Sequence, residues 1–265
     1  MKYNNVYWSE QAMQLDQVSP DILAIGDSWF WYPFPGGSLI NPIGDLLAAQ
    51  GHIVYVVGNN GAEAYDYVKG KYRRPVREML RLYGSAAKAV LVSGGGNDFA
   101  GFNDLRPMLN ADCSAATTAA ECFKPGDAEG TLEWLMQRVF ENYALLASRT
   151  MLVVPPTTPI LVHAYDYAVP DGRGVGGGNG WLKPSLEDAR VPVALHQDCI
   201  RLLIDSAQSV MAQLAASSNG RVVAVDSRGT LSPADWSNEL HPKRAGFKKI
   251  AVQKWRPVLQ QLGLA

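Results

Sequence analysis

Five short apolar runs rich in β-branched residues constrain the chain more than any other feature: Ile22–Ile25, Ile53–Val57, Ala89–Val92, Ile160–Val162 and Val222–Val225. Short runs without apolar/polar alternation suit strands that are buried on both faces. Helix-like segments lie between them, the clearest being Leu132–Ala147, Val193–Ala215 and one around Gly246–Leu262. Strands that alternate with helices join one sheet in parallel, and the helices cover both its faces. The expectation is an α/β protein with a five-stranded, mostly parallel sheet. With 265 residues and 47% hydrophobic content, the chain has enough apolar material for a sizeable core. No internal repeat or domain-length linker divides it, so residues 1–265 read as a single domain. Two irregular stretches, about 99–130 and 169–192, are long enough to be surface loops or insertions.

Lys and Arg number 24 against 25 Asp and Glu, a net charge of −1. The field expected of a nucleic-acid binder or a polybasic membrane-surface protein is missing, so nucleic acid is not expected as a partner. No stretch approaches the roughly 18 consecutive apolar residues of a transmembrane segment. Met1 to Glu10 lacks both a basic n-region and an apolar h-region. The protein is expected to be cytoplasmic if the sequence is complete, and secreted or periplasmic if a signal peptide has been removed. Cys113, Cys122 and Cys199 form no CxxC and no Cys/His cluster, which argues against a structural zinc site. Cys113 and Cys122 flank the polar segment Ser114–Glu121, which a disulfide would close in an oxidising compartment; otherwise they are two free thiols. Gly172, Gly174 and Gly177 match the dinucleotide pattern GxGxxG, but the match does not follow a strand and open a helix, so no cofactor is expected there. Oligomeric state is not readable from the chain.

Ligands of open parallel sheets bind at the carboxyl ends of the strands. After the first run come Gly26-Asp27-Ser28-Trp29, after the second Gly58-Asn59-Asn60-Gly61, and after the third Ser93-Gly94-Gly95-Gly96-Asn97-Asp98. The fourth is followed by His163-Ala164-Tyr165-Asp166, and the fifth by a loop that reaches Asn238-Glu239-Leu240-His241-Pro242. A serine, two histidines, glycine turns and an amide thus share one edge. These are the parts that acyl transfer needs: a nucleophile, a base and oxyanion donors.

Gly26-Asp27-Ser28, a glycine after the second run, Gly95-Gly96-Asn97-Asp98 and His241-Pro242 resemble the four ordered blocks of the SGNH (GDSL-type) hydrolase family, a match that spans Gly26 to Pro242. The resemblance implies a flavodoxin-like three-layer α/β/α fold and hydrolysis of carboxylic esters, with short acyl groups favoured, without metal or cofactor. It assigns Ser28 as nucleophile and His241 as general base. The oxyanion hole would comprise the backbone N–H groups of Ser28 and Gly61 and the side-chain amide of Asn97, with Gly58 a rival for the glycine. The substrate would be a small-molecule or glycan ester. The GxSxG elbow of the α/β-hydrolases is absent.

The family pattern has an aspartate three residues before the histidine, where this chain has Asn238; the nearest upstream acid is Asp235. An amide oxygen orients an imidazole but brings no full charge to the imidazolium. The reading is therefore a Ser28–His241 pair helped by Asn238 or a backbone carbonyl. Trp29, Trp31, His163 and Tyr165 are candidate substrate-binding residues, since the aromatic run Trp29–Phe34 adjoins the nucleophile on a segment that Pro33, Pro35 and Gly36-Gly37 mark as a loop. Two other functions remain open: a carbohydrate or peptidoglycan O-deacetylase, and a hydrolase-like binding module that has lost activity.

Overall fold

The structure is a computed structural model and describes residues 2–31 and 37–265. Its sheet has the order β1-β2-β4-β3-β5-β6-β7, built from β1 (Lys2–Tyr3), β2 (Val6–Tyr7), β3 (Ile22–Gly26), β4 (Val54–Gly58), β5 (Ala89–Ser93), β6 (Ile160–His163) and β7 (Val222–Val225). All pairings are parallel except β1 with β2. The five expected runs are thus the main strands. The two extra edge strands have two residues each, too short to leave a periodic signal.

Central position explains the continuous apolar runs. Every residue of β3, β5 and β6 is buried, whereas β4 and β7 retain partly exposed positions. The helices are α1 (Glu10–Leu15), α2 (Ile40–Ala48), α3 (Ala64–Val68), α4 (Arg73–Tyr83), α5 (Phe102–Leu105), α6 (Leu132–Met151), α7 (Lys183–Asp188), α8 (His196–Ala216), α9 (Arg244–Ile250) and α10 (Arg256–Gln261). Both long helices show why they form. Thr131 caps α6 by accepting the Trp134 N–H at 3.2 Å, and α8 buries Ile200, Leu203, Ile204, Ala207 and Met211 at helical spacing. The expected C-terminal helix is interrupted by a π-helical turn over Ala251–Trp255, just before Pro257. A proline there has no N–H for the α-helical bond, and its ring pushes away the carbonyl four residues back.

Strand order reverses at β3, which has β4 on one side and β5 on the other. This switch point opens a crevice above the carboxyl end of β3, where Ser28 lies. Stretch 99–130 carries α5 and short 3-10 turns, and stretch 169–192 carries α7. Cys113, Cys122 and Cys199 are buried free thiols, so the segment between Cys113 and Cys122 is not closed by a disulfide. It is held instead by bonds such as Asn110 N–H to Cys122 O, 2.9 Å.

The two rival glycines differ in what their backbones require. Gly58 has φ +143, and a Cβ there would sit 1.8 Å from Gly26 O; Gly61 has φ +73 and open space around it. Gly58→Ala is therefore expected to lower the unfolding free energy by about 3 kcal/mol or more, and Gly61→Ala by about 1–2 kcal/mol. Urea unfolding checks this, and equal losses would contradict it.

Candidate active site

β3 delivers the chain into a tight turn in which the N–H groups of Phe30 and Trp31 bond to Asp27 O at 3.0 and 2.7 Å. The turn presents Ser28 Oγ 2.9 Å from His241 Nε2. Nδ1 of the same ring lies 3.0 Å from Asn238 Oδ1. That oxygen also accepts the backbone N–H of Leu240 at 3.0 Å and of His241 at 2.9 Å, which fixes the orientation of the amide. Facing an acceptor, Nδ1 carries the proton, and Nε2 is left as the lone pair that receives the serine O–H. Burial pushes the His241 pKa down to about 4. Asp235 stands elsewhere: its carboxylate takes Ser232 N–H, Ser232 O–H and Lys249 Nζ at 2.7–2.9 Å, and the ammonium of Lys249 holds it down to about 2.

The serine turn and the histidine loop are joined directly, because the indole N–H of Trp29 donates to Leu240 O at 3.0 Å. Trp29 also packs edge-on against Tyr165 and Phe247, with ring centroids 4.9 and 5.2 Å apart. Asn97 Nδ2 donates to Ala62 O at 2.9 Å, with a longer 3.5 Å contact to Asp27 Oδ2. Asp98 accepts the Ala64 N–H at 2.9 Å, which ties the Asn97 loop to the loop of Gly61. The backbone N–H groups of Ser28 and Gly61 are not taken by any other described residue.

A narrow, largely apolar pocket opens beside Ser28. Ser28, Trp29, Asn97 and Tyr165 line it on the catalytic side, and Leu182, Ile200, Leu203 and Ile204 make the rest apolar. Two expected substrate contacts are not among its lining. His163 is fully buried, sandwiched by the rings of Trp29, Phe30, Tyr165 and Trp255, because it closes the central strand β6 under the site. Burial also lowers the His163 pKa to about 4. The unfolded chain takes up that proton near pH 6.5, so the contribution of His163 to stability is lost as pH falls from about 6.5 toward 4. Trp31 is half-buried against the core, and Tyr32 to Phe34 of the aromatic run lie outside the described residues. Among the described residues no group of three or more His, Cys, Asp and Glu is arranged to hold a metal ion.

No family model and no curated protein matches the sequence. Solved structures do match. An extracellular lipase from Streptomyces rimosus and a phospholipase A1 from Streptomyces albidoflavus each superpose with a TM-score of 0.52 at 17% identity, over 92% of this chain and 100% and 99% of theirs. A protein assigned to the SGNH hydrolases, from Slackia heliotrinireducens, gives 0.50 at 13% identity over 89% of this chain and 96% of its own. The fold is that of the SGNH hydrolases. A family two carbohydrate esterase from Clostridium thermocellum shares it, with a TM-score of 0.53 at 14% identity over 94% of this chain and 67% of that one.

On this SGNH framework two buried carboxylates hold the site loops, and sequence reasoning missed the role of both. Glu239 is fully buried and accepts the backbone N–H groups of Gly172, Trp181, Leu182 and Lys183. It thereby binds the glycine-rich stretch to the histidine loop and seats Trp181 edge-on against His241, 6.0 Å between centroids. The glycines that mimicked a dinucleotide fingerprint belong to this wrap; a Cβ at Gly180 would lie 2.2 Å from Glu239 Oε2. Asp166 accepts the N–H groups of Tyr167, Gly229, Thr230 and Leu231 in the same way and joins the end of β6 to the loop after β7. An acid two residues before His241, opposite a glycine run, was the available signal for Glu239. Replacing it by Gln turns an amide NH₂ toward N–H donors. Glu239→Gln is thus expected to cost about 3 kcal/mol and to speed tryptic cleavage after Arg173, read by urea unfolding and limited proteolysis. Unchanged cleavage would show that the loop is held by other contacts.

Proposed function

We propose that this protein is a carboxylic ester hydrolase that works through Ser28 and His241. The 2.9 Å approach of Ser28 Oγ to His241 Nε2, with Nδ1 held by Asn238 Oδ1, carries the proposal. Ser28 Oγ attacks the ester carbonyl while Nε2 takes its proton. The N–H groups of Ser28 and Gly61 receive the negative oxygen, and the Asn97 amide joins them by turning to it the hydrogen that otherwise makes the long 3.5 Å contact with Asp27. The imidazolium then returns the proton to the leaving alcohol, and water activated by the same ring hydrolyses the acyl-enzyme.

On this reading the two halves of the substrate lie on opposite sides of Ser28. The leaving alcohol must face His241, which lines an open groove together with Gly172–Gly178, Ser237 and Asn238. The acyl group turns the other way, into the apolar pocket beside Asn97. That pocket favours an apolar acyl chain, short because Ile200, Leu203 and Ile204 flank it closely. Each methylene buried there is worth ~0.8 kcal/mol, or about fourfold in kcat/KM. The groove beside His241 favours a second reading, a glycan O-deacetylase, since its room and backbone polar groups suit a sugar alcohol.

Fluorophosphonate labelling is expected at Ser28. Ser28→Ala should lower kcat on p-nitrophenyl butyrate by at least on the order of 10⁴ without changing the unfolding midpoint. Labelling elsewhere, or retained turnover, would leave the inactive binding module as the better reading. Acetylated oligosaccharides run beside the p-nitrophenyl series separate the two ester classes.

A second measurement concerns the acceptor of Nδ1. General-base catalysis needs neutral His241, and its pKa of about 4 lies below the ordinary 6.5. The acid limb of kcat/KM should therefore fall near pH 4 to 5. Asn238→Asp sets a carboxylate against the ring and should move that limb upward by about 1–3 units. A wild-type limb near 6.5 would contradict the assignment.

A further inference from the structure

The net charge of −1 conceals a strong separation of charge. Seven of the 24 Lys and Arg, but only one of the 25 Asp and Glu, fall within residues 69–88. All seven cations are exposed: Lys69, Lys71, Arg73, Arg74, Arg77, Arg81 and Lys88. They lie on and around α4, which turns Val76, Met79 and Leu80 into the core and leaves its outer side basic. Acidic partners are scarce there. Arg81 and Arg77 share Glu78, at 3.0 and 3.9 Å, and Lys71 and Lys88 reach Asp66 and Asp21. Lys69, Arg73 and Arg74 make no ion pair among the described residues.

The same face exposes aliphatic side chains. A groove between α4 and the end of α6 is rimmed by Arg73, Arg77, Arg81 and Arg149 and carries Leu152 and Val153, which are 84% and 41% exposed. Leu82 at the end of α4 is 44% exposed. Exposed leucine is of no use to a purely polyanionic ligand, while a lipid surface accepts cations at its headgroups and aliphatic groups just below them. The opposite charge of the rest of the molecule would orient it on such a surface.

From this segregation we infer that the α4 face docks the protein on anionic lipid membranes. The inference is independent of the ester-hydrolase reading.

The test is cosedimentation with phosphatidylcholine vesicles made with and without phosphatidylglycerol. Binding is expected only with phosphatidylglycerol, and it should weaken as salt rises from about 0.1 M to about 1 M, where the Debye length shrinks from about 10 Å to about 3 Å. Each cation at an anionic surface is worth about fivefold, so the double variant Arg73→Glu/Arg77→Glu should bind at least ~20-fold more weakly. Leu152→Ser should weaken binding further. Both variants should keep the wild-type unfolding midpoint and the wild-type rate of Ser28 labelling in solution, so a failure of the esterase reading is seen separately. No binding to phosphatidylglycerol vesicles, or binding that the double variant leaves unchanged, overturns the inference. Tight binding to heparin or duplex DNA with no effect of Leu152→Ser also overturns it, in favour of a polyanion.

Discussion

The carboxylate of Asp27 is buried where strand order reverses, and the loops of the site are arranged around it. One oxygen accepts the Trp29 N–H at 3.0 Å and the Ser93 O–H at 2.9 Å; the other accepts the Tyr165 O–H and faces Asn97 Nδ2. Burial raises its pKa, and these bonds oppose that rise. One side chain thus links the serine turn after β3, the end of β5 and the loop after β6. Tyr165 extends the link by accepting the Gly96 N–H at 3.0 Å. A buried carboxylate costs several kcal/mol unless its lone pairs are filled, so the network tolerates few substitutions and fixes the geometry of what it touches.

Glu239 and Asp166 repeat that principle farther out. Each is a carboxylate filled by four backbone N–H groups: Glu239 fastens the glycine-rich stretch to the histidine loop, and Asp166 fastens the loop after β7 to the end of β6. Loops carry most of the candidate site, and loops are ordinarily the mobile part of a fold. Anchoring the loops by these hydrogen bonds leaves the backbone N–H groups of Ser28 and Gly61 untaken by other described residues, as the proposed oxyanion role requires. Such preorganised donors lose no reorganisation energy when charge develops.

Much of the fold was legible because it depends on local patterns. Continuous apolar runs marked the five main strands, and helical spacing marked α6 and α8. The π-helical turn before Pro257 and the two-residue edge strands left no periodic signal. At the candidate site, Ser28, Asn97, Asn238 and His241 were singled out by their place at or beyond strand ends together with the resemblance to the SGNH blocks, and the structure brings Ser28, His241 and Asn238 into one hydrogen-bonded chain. His163 was misjudged for the same reason: a strand end can close the core as well as line a pocket, and only the surrounding rings distinguish the two. Glu239 escaped notice because its partners are backbone N–H groups of a distant loop, which no side-chain pattern reports. The basic face escaped because net charge sums over surfaces that are far apart.

Asn238 poses the sharpest question about how such a site would work. A carboxylate at that position would stabilise the imidazolium formed as the serine proton leaves, but it would also raise the ring's pKa and let it protonate in mildly acidic solution. The amide keeps the orientation of the ring, fixed by two backbone N–H bonds to the same oxygen, and gives up the charge. Combined with burial, which lowers His241 to about 4, this leaves the base neutral over a wide pH range and weaker as a proton acceptor. Under the proposed mechanism, the missing stabilisation of the imidazolium has to come from the other developing charge. That places the demand on the oxyanion donors, and it explains why three groups from separate loops, the N–H of Ser28, the N–H of Gly61 and the amide of Asn97, have to be held in register by Asp27 and its neighbours.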